Sequence, residues 1–104
     1  MRSFVPRSPA LLVAVLAAGL AVACGRNDSP TERRYAEHCA ACHSTGASGA
    51  PRRGDAAAWA PLRERGIPSL LESVKRGTPA MPAKGRCERC TDEELQALIR
   101  LMSE

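Results

Sequence analysis

The chain has few aromatic residues, no block of like charges and no apolar run long enough to span a membrane. Phe, Trp and Tyr together make up 3% of its 104 residues. The apolar run at residues 10–23 falls short of the roughly 20 residues that a membrane-spanning helix needs. Because charge blocks and base-stacking aromatic side chains are both missing, nucleic-acid binding has little support.

Residues 1–23 have the layout of a secretory signal peptide. Arg2 and Arg7 precede the apolar run, which ends in the small residues Ala21-Val22-Ala23. A buried core helix is the alternative, but the position at the N-terminus behind basic residues favours export. Removal of this segment would leave 13 of the 15 basic residues against 11 acidic ones, so the mature protein is nearly neutral.

Cys24 directly follows this segment and is the odd one of five cysteines. An odd cysteine in an exported protein suggests modification or a free thiol. The position resembles a bacterial lipoprotein signal, in which the cysteine receives lipid and becomes the first residue. A capped or dimer-forming thiol is the alternative. Residues 24–29 then form a polar linker that reaches at most about 20 Å, which would hold the protein beside the inner or outer membrane of a Gram-negative periplasm.

Residues 30–104 are expected to form one small helical domain. The helix starts are predicted from capping patterns: Ser29 with Glu32, Asp55, Ser69 with Glu72, and Thr91 with Glu94. We expect the first helix to continue towards Cys42, the second to end at Pro61 and the third to end at Gly77. No alternating strand pattern occurs, and the long loops of such a small domain usually wrap something.

An amphipathic pattern marks the last helix. Its apolar residues follow the spacing i, i+3, i+4, i+7, and they are Leu95, Leu98, Ile99 and Met102. The domain is therefore predicted to be all-α, and domains of this size often need a disulfide, a metal or a cofactor to supplement a small core.

The segment Cys39-Ala40-Ala41-Cys42-His43 has the C-x-x-C-H pattern of covalent haem attachment. Two cysteines at this spacing on a helical turn can form thioethers to one porphyrin, and His43 then becomes an axial ligand of the iron. A thioredoxin-like thiol pair is one alternative, but it requires a βαβ context. A zinc site that adds Cys87 and Cys90 is another, but the gap between the two pairs exceeds the roughly 15–20 residues of compact zinc modules. One covalent haem c is predicted.

Met81 is the candidate for the second axial ligand. It lies in Pro79-Ala80-Met81-Pro82, where the flanking prolines stiffen a loop that can present the thioether to iron. A methionine that only fills a gap is the alternative. His38 adjoins the attachment site and cannot reach across the ring, and Met102 lies on the apolar face of a helix.

The sequence from about Tyr35 to Met102 resembles the class I cytochromes c, and within them the small cytochrome c5 family. Besides the haem motif, the shared segments are Gly49-Ala50-Pro51, Gly54-Asp55, Trp59-Ala60-Pro61, Met81-Pro82, and Cys87-x-x-Cys90 followed by Thr91-Asp92-Glu93-Glu94. The resemblance implies a small fold of short helices and loops wrapped around one haem.

The resemblance also implies roles for individual residues. The Pro51 carbonyl would accept the His43 Nδ1 proton, Trp59 would lie by a haem propionate, and Cys87 and Cys90 would form a disulfide. Leu62 stands where family members usually carry a basic residue, and Arg63 is the candidate substitute for pairing with a propionate.

One-electron transfer between redox protein partners is the predicted function. Electrons would pass through a haem edge ringed by Ala40, Ala41 and Ala80. A haem-bearing subunit of a larger oxidase or dehydrogenase is the alternative, and a haem peroxidase or gas-reactive protein is a further one. No small-molecule substrate is expected, because two axial ligands would fill the iron.

Overall fold

The computed structural model describes Gly19 and residues 28–104, and within these residues it contains helices and no strands. The predicted signal peptide, apart from Gly19, and the predicted lipid site at Cys24 lie outside the described residues. None of the described helices is both long and apolar enough to span a bilayer.

Five α-helices and two 3₁₀ turns follow one another along residues 28–104. The helices are α1 Pro30–Arg34, α2 Ala40–His43, α3 Ala56–Glu64, α4 Ile67–Arg76 and α5 Asp92–Ser103. The 3₁₀ turns are Ala47–Gly49 and Ala83–Arg86. Helix α5 packs against both α1 and α4, and its predicted inward residues Leu95, Leu98, Ile99 and Met102 are all buried.

The first helix continues to the haem-attachment segment, as expected, but it changes its pitch on the way. Residues Tyr35–Cys39 form a π-helical turn between α1 and α2, and the Ala40 N–H donates to the Tyr35 carbonyl. Tyr35, Cys39 and His43, spaced four residues apart, are all buried. A π-turn is rare and often lies at a functional site, and no propensity rule predicted it here.

Two expected helix boundaries are wrong. Helix α3 does not end at Pro61 but passes through it to Glu64. Pro61 is exposed and lacks only one helical N–H, while its neighbours Trp59 and Leu62 pack on the core, so packing outweighs the local break. Helix α4 begins at Ile67, two residues before Ser69, because Pro68 suits the first turn of a helix.

The cap at Ser29 forms only in part. The Ser29 hydroxyl accepts from the Glu32 N–H at 3.1 Å, but the Glu32 carboxylate pairs with Arg53 instead of returning to the cap. At Thr91 both halves of the capping box with Glu94 are present, as expected. Asp55 caps α3, and Gly77 ends α4.

Candidate haem site

The attachment segment carries two free thiols about one turn apart. Cys39 is buried, and Cys42, one turn later, is exposed. Burial raises the pKa of the Cys39 thiol. Both cysteines line the same cleft, so both residues face one shared space, as two thioethers to a single porphyrin require.

His43 has a defined orientation. Its Nδ1 lies 2.8 Å from the carbonyl oxygen of Pro51. Because a carbonyl can only accept a hydrogen bond, Nδ1 carries the proton and Nε2 keeps its lone pair for a metal. The Arg53 N–H also donates to the His43 carbonyl at 2.7 Å, which ties the following loop to this helix end.

Trp59 packs beside the histidine. It is buried, and its ring is stacked 6.1 Å from that of His43, centroid to centroid. The indole N–H donates to the Arg52 carbonyl at 2.7 Å. Trp59 lines the cleft, but its only side-chain N–H donor is already engaged, so it can contact a propionate by packing more readily than by hydrogen bonding.

The Met81 loop is held by a tight turn and a nearby cysteine pair. The Thr78 N–H donates to the Met81 carbonyl at 2.8 Å, and the Met81 N–H lies 3.1 Å from the Thr78 hydroxyl. The sulfurs of Cys87 and Cys90 lie within bonding distance of each other, and their Cα atoms are 5.4 Å apart. A Cβ added to Gly85, two residues before this pair, would lie 3.6 Å from the Met81 methyl carbon.

These segments enclose a cleft of about 490 Å³. Its lining combines the attachment segment, the Met81 loop and the apolar faces of α3, α4 and α5; the apolar residues include Leu62, Leu70, Val74, Ile99 and Met102. A mostly apolar cleft with two thiols, an oriented imidazole and a thioether matches the donor set that a covalent haem needs.

Some neighbouring residues differ from the expectations. Ala40 packs against the core, whereas Ala41 and Ala80 are exposed and line the cleft. His38 is half-buried and also lines it. Arg63 does not line the cleft, but Arg65 and Arg86 do. Neither arginine was singled out from the sequence, because single arginines in loops carry no motif.

The geometry does not support the alternative of a zinc site. Within residues 28–104, no group of three or more His, Cys, Asp or Glu side chains is arranged to hold a metal ion. The sulfurs of Cys87 and Cys90 face each other at bonding distance and are not grouped with Cys39 and Cys42.

Comparison with known proteins identifies the family. The family model described as cytochrome C oxidase, cbb3-type, subunit III matches residues 26–102. Cytochrome c5 of Ectopseudomonas mendocina is 44% identical over 70 residues, which cover 65% of this chain and 80% of that protein. The chain belongs to the class I c-type cytochromes. The resemblance to cytochrome c5 is thereby confirmed.

Solved structures agree with this assignment. A mono-haem ferrocytochrome c from Shewanella putrefaciens superposes with a TM-score of 0.67 at 43% identity. The match covers 72% of this chain and 93% of the Shewanella chain. A chain from the crystal structure of an electron-transfer complex of nitrite reductase with cytochrome c gives a TM-score of 0.67 at 36% identity, with the same coverage. The all-α class I fold, one covalently bound haem c and one-electron transfer are thus confirmed for the cytochrome.

Proposed function

We propose that this cytochrome is a periplasmic electron carrier, and not an enzyme, whose haem iron is bound by His43 and Met81. The observation that carries the proposal is the single cleft that the attachment segment and the Met81 loop share. Residues 30–104 form the haem domain in this proposal, after a signal peptide at 1–23 and a linker at 24–29.

Each residue of the site has one task. Cys39 and Cys42 would hold the haem by thioether bonds, which would keep the cofactor from dissociating. The haem supplies an iron that accepts and releases one electron. His43 would offer Nε2 to the iron, and the Pro51 carbonyl fixes the imidazole by accepting a hydrogen bond from Nδ1. Met81 offers its thioether, a ligand that raises the reduction potential.

The role of Met81 is supported by how its loop is held. The hydrogen bonds of the turn between Thr78 and Met81 fix the backbone that carries the thioether. We further propose that Cys87 and Cys90 form a disulfide in the oxidising periplasm, which would anchor the loop from its C-terminal side. With two protein ligands, a substrate could reach the iron only by displacing one of them.

Partners are proposed to dock at the rim of the cleft. Cys42, Ala41, Ala80 and Pro82 are exposed there and form a small, mostly apolar surface. Weak electron-transfer encounters use small interfaces of this kind. The cytochrome in the neighbouring solved complex binds nitrite reductase, which supports a redox protein as partner. Because the mature chain is nearly neutral, association should depend weakly on salt.

Membrane attachment through a lipid on Cys24 is part of the proposal. It rests on the sequence alone, since Cys24 lies outside the described residues. The linker reaches at most about 20 Å, so a lipidated cytochrome would serve partners in or at the inner or outer membrane. Mass spectrometry of the mature protein should find a diacyl or triacyl mass on an N-terminal Cys24. An unmodified Cys24 would instead indicate a soluble periplasmic carrier.

The axial ligands are tested by the visible spectrum of the reduced protein before and after carbon monoxide. We expect no change for the wild type and a clear shift for Met81→Ala, in which one axial position is open. Met102→Leu is the matched control, because Met102 also lines the cleft and the substitution preserves its volume. A shift in the wild type would make a peroxidase or gas-reactive function the better proposal.

A subunit of a larger complex is the second candidate. The description of the matching family model names a subunit of the cbb3-type cytochrome c oxidase, which favours this alternative. Gentle solubilisation of membranes followed by size separation distinguishes the two. A carrier should elute alone, whereas a subunit should elute with other haem proteins in fixed ratio.

A further inference from the structure

Arg65 lies at the cleft without a carboxylate partner. It caps the C-terminal end of α3, and its side chain lines the cleft. Within residues 28–104, the ion pairs involve other basic residues, and no carboxylate lies within 4.0 Å of Arg65. The cleft lining as described contains Arg65 and Arg86 but no Asp or Glu.

Two hydroxyl groups hold the Arg65 side chain in place. Its Nη2 donates to the Ser73 hydroxyl at 2.8 Å and lies 3.4 Å from that of Ser69. The two serines are four residues apart on α4 and therefore share a face of the helix. A guanidinium has five N–H donors in a rigid fork, so contacts through Nη2 leave Nε and Nη1 available. Arg86 also lines the cleft, but no side-chain hydrogen bond holds it among the described residues.

We propose that Arg65 binds a propionate carboxylate of the haem and holds it ionised. The proposal rests on the haem site described above. A haem brings two carboxylates into a cleft whose described lining offers only cationic charged side chains, and Arg65 is the one already oriented. Pairing with a propionate was expected of Arg63, because Leu62 has no charge to offer. Arg63 lies outside the cleft lining, whereas Arg65 is part of it. The serines contribute by positioning the guanidinium.

The proposal has two consequences for the reduction potential. A cation beside the haem disfavours ferric iron, so removal of Arg65 should lower the potential. The same cation favours the ionised propionate and lowers its pKa. Without Arg65 the propionate would protonate at a higher pH, and its protonation would raise the potential. The potential of a variant should therefore fall more steeply with rising pH than that of the wild type.

The test is potentiometry of the holoprotein from mildly acidic to neutral pH, with Arg65→Gln and Arg63→Gln compared. Both substitutions remove one exposed arginine, so the change in net charge is matched. We expect Arg65→Gln to shift the ferric–ferrous equilibrium by roughly two- to fivefold, the size of an exposed ion pair, and to steepen its pH dependence. Arg63→Gln should do neither.

Further variants keep the proposal falsifiable. If Arg65→Gln fails to incorporate haem, Arg65→Lys and Ser73→Ala are measured, and each should give a smaller shift in the same direction. Equal potentials for the two glutamine variants would overturn the proposal. So would an unchanged potential together with slower, salt-dependent reduction of a partner, since Arg65 would then serve a carboxylate on that partner. Carbon monoxide binding by the wild type would instead contradict the His43/Met81 ligation and leave the comparison of the arginines intact.

Discussion

Gly77 and Met81 are packed so closely that no side chain fits at Gly77. A Cβ built there would lie 3.0 Å from the Met81 carbonyl oxygen and 2.8 Å from the Ala83 backbone nitrogen. Gly77 also has φ +79°, a conformation that residues with a side chain rarely adopt. The glycine that ends α4 therefore also allows the Met81 loop to fold back against the helix end.

Gly77→Ala should displace the Met81 loop. Because the clash is with backbone atoms, the loop must move, and the Met81 thioether should become a labile ligand. We expect the reduced variant to bind carbon monoxide and to lose stability. Gly49→Ala is the control, since Gly49 has φ +76° and a Cβ added to it would meet nothing within 4 Å. If both variants exclude carbon monoxide equally, the close packing does not control the ligand.

Pro51→Ala should change the reduction potential through His43. The substitution retains the carbonyl that accepts from Nδ1 but gives the loop more freedom, which should cost about 0.4–1 kcal/mol of stability. A weaker bond to Nδ1 makes the imidazole less basic and should raise the potential. Pro68→Ala, in the first turn of α4, should cost similar stability and leave the potential unchanged. Unchanged potentials in both variants would show that the proline does not fix the bond.

Glu32→Gln should make the free energy of unfolding depend less on pH in the acidic range. Hydrogen bonds from Arg53 hold the pKa of Glu32 below its usual value. The ionised pair therefore stabilises the fold above the ordinary glutamate pKa, and this contribution is lost as the pH falls through the lowered one. The variant should be less stable than the wild type at pH 7, with the difference shrinking in acid, as measured by urea unfolding across pH. Glu64→Gln is the matched control, because it also removes one carboxylate, an exposed one that forms no ion pair among the described residues.

Cys87→Ser with Cys90→Ser tests the proposed disulfide. Closing a four-residue loop should contribute about 2 kcal/mol by restricting the unfolded chain. Urea unfolding of the double variant should show a loss of this size, and the denatured wild type should show two fewer reactive thiols before reduction than after it. Equal thiol counts before and after reduction would mean that the mature protein contains no disulfide.

Thr91→Ala should unfold α5 more easily. The Thr91 hydroxyl accepts from the Glu94 N–H at 3.2 Å, and the Glu94 carboxylate accepts from the Thr91 N–H at 3.0 Å. Loss of such a cap costs about 1 kcal/mol. Thermal unfolding should show this loss, whereas Thr31→Ala in α1 should cost less, because the Thr31 hydroxyl forms no hydrogen bond among the described residues. Equal losses would indicate that the cap contributes nothing beyond helix propensity.

Local chemistry explains what could be predicted from the sequence. The haem-attachment pentapeptide, the α5 stripe and the Thr91–Glu94 box each depend on residues within one or two helical turns, so spacing alone determines them. Met81 could be singled out because flanking prolines restrict its loop, although its ligation stays a prediction.

Contacts between segments distant in the sequence decided the end of α3, the partner of Glu32 and the position of Arg65. Helix α3 continues through Pro61 because Trp59 and Leu62 bury their side chains against other helices, a gain that no local rule contains. Glu32 leaves its cap because Arg53, 21 residues away, offers a charged partner. Arg65 faces the cleft because Ser69 and Ser73 meet it there across a turn between helices. The sequence by itself determined the cofactor and its attachment, while the tertiary structure decided which charges and loops surround it, since those depend on how separate helices pack.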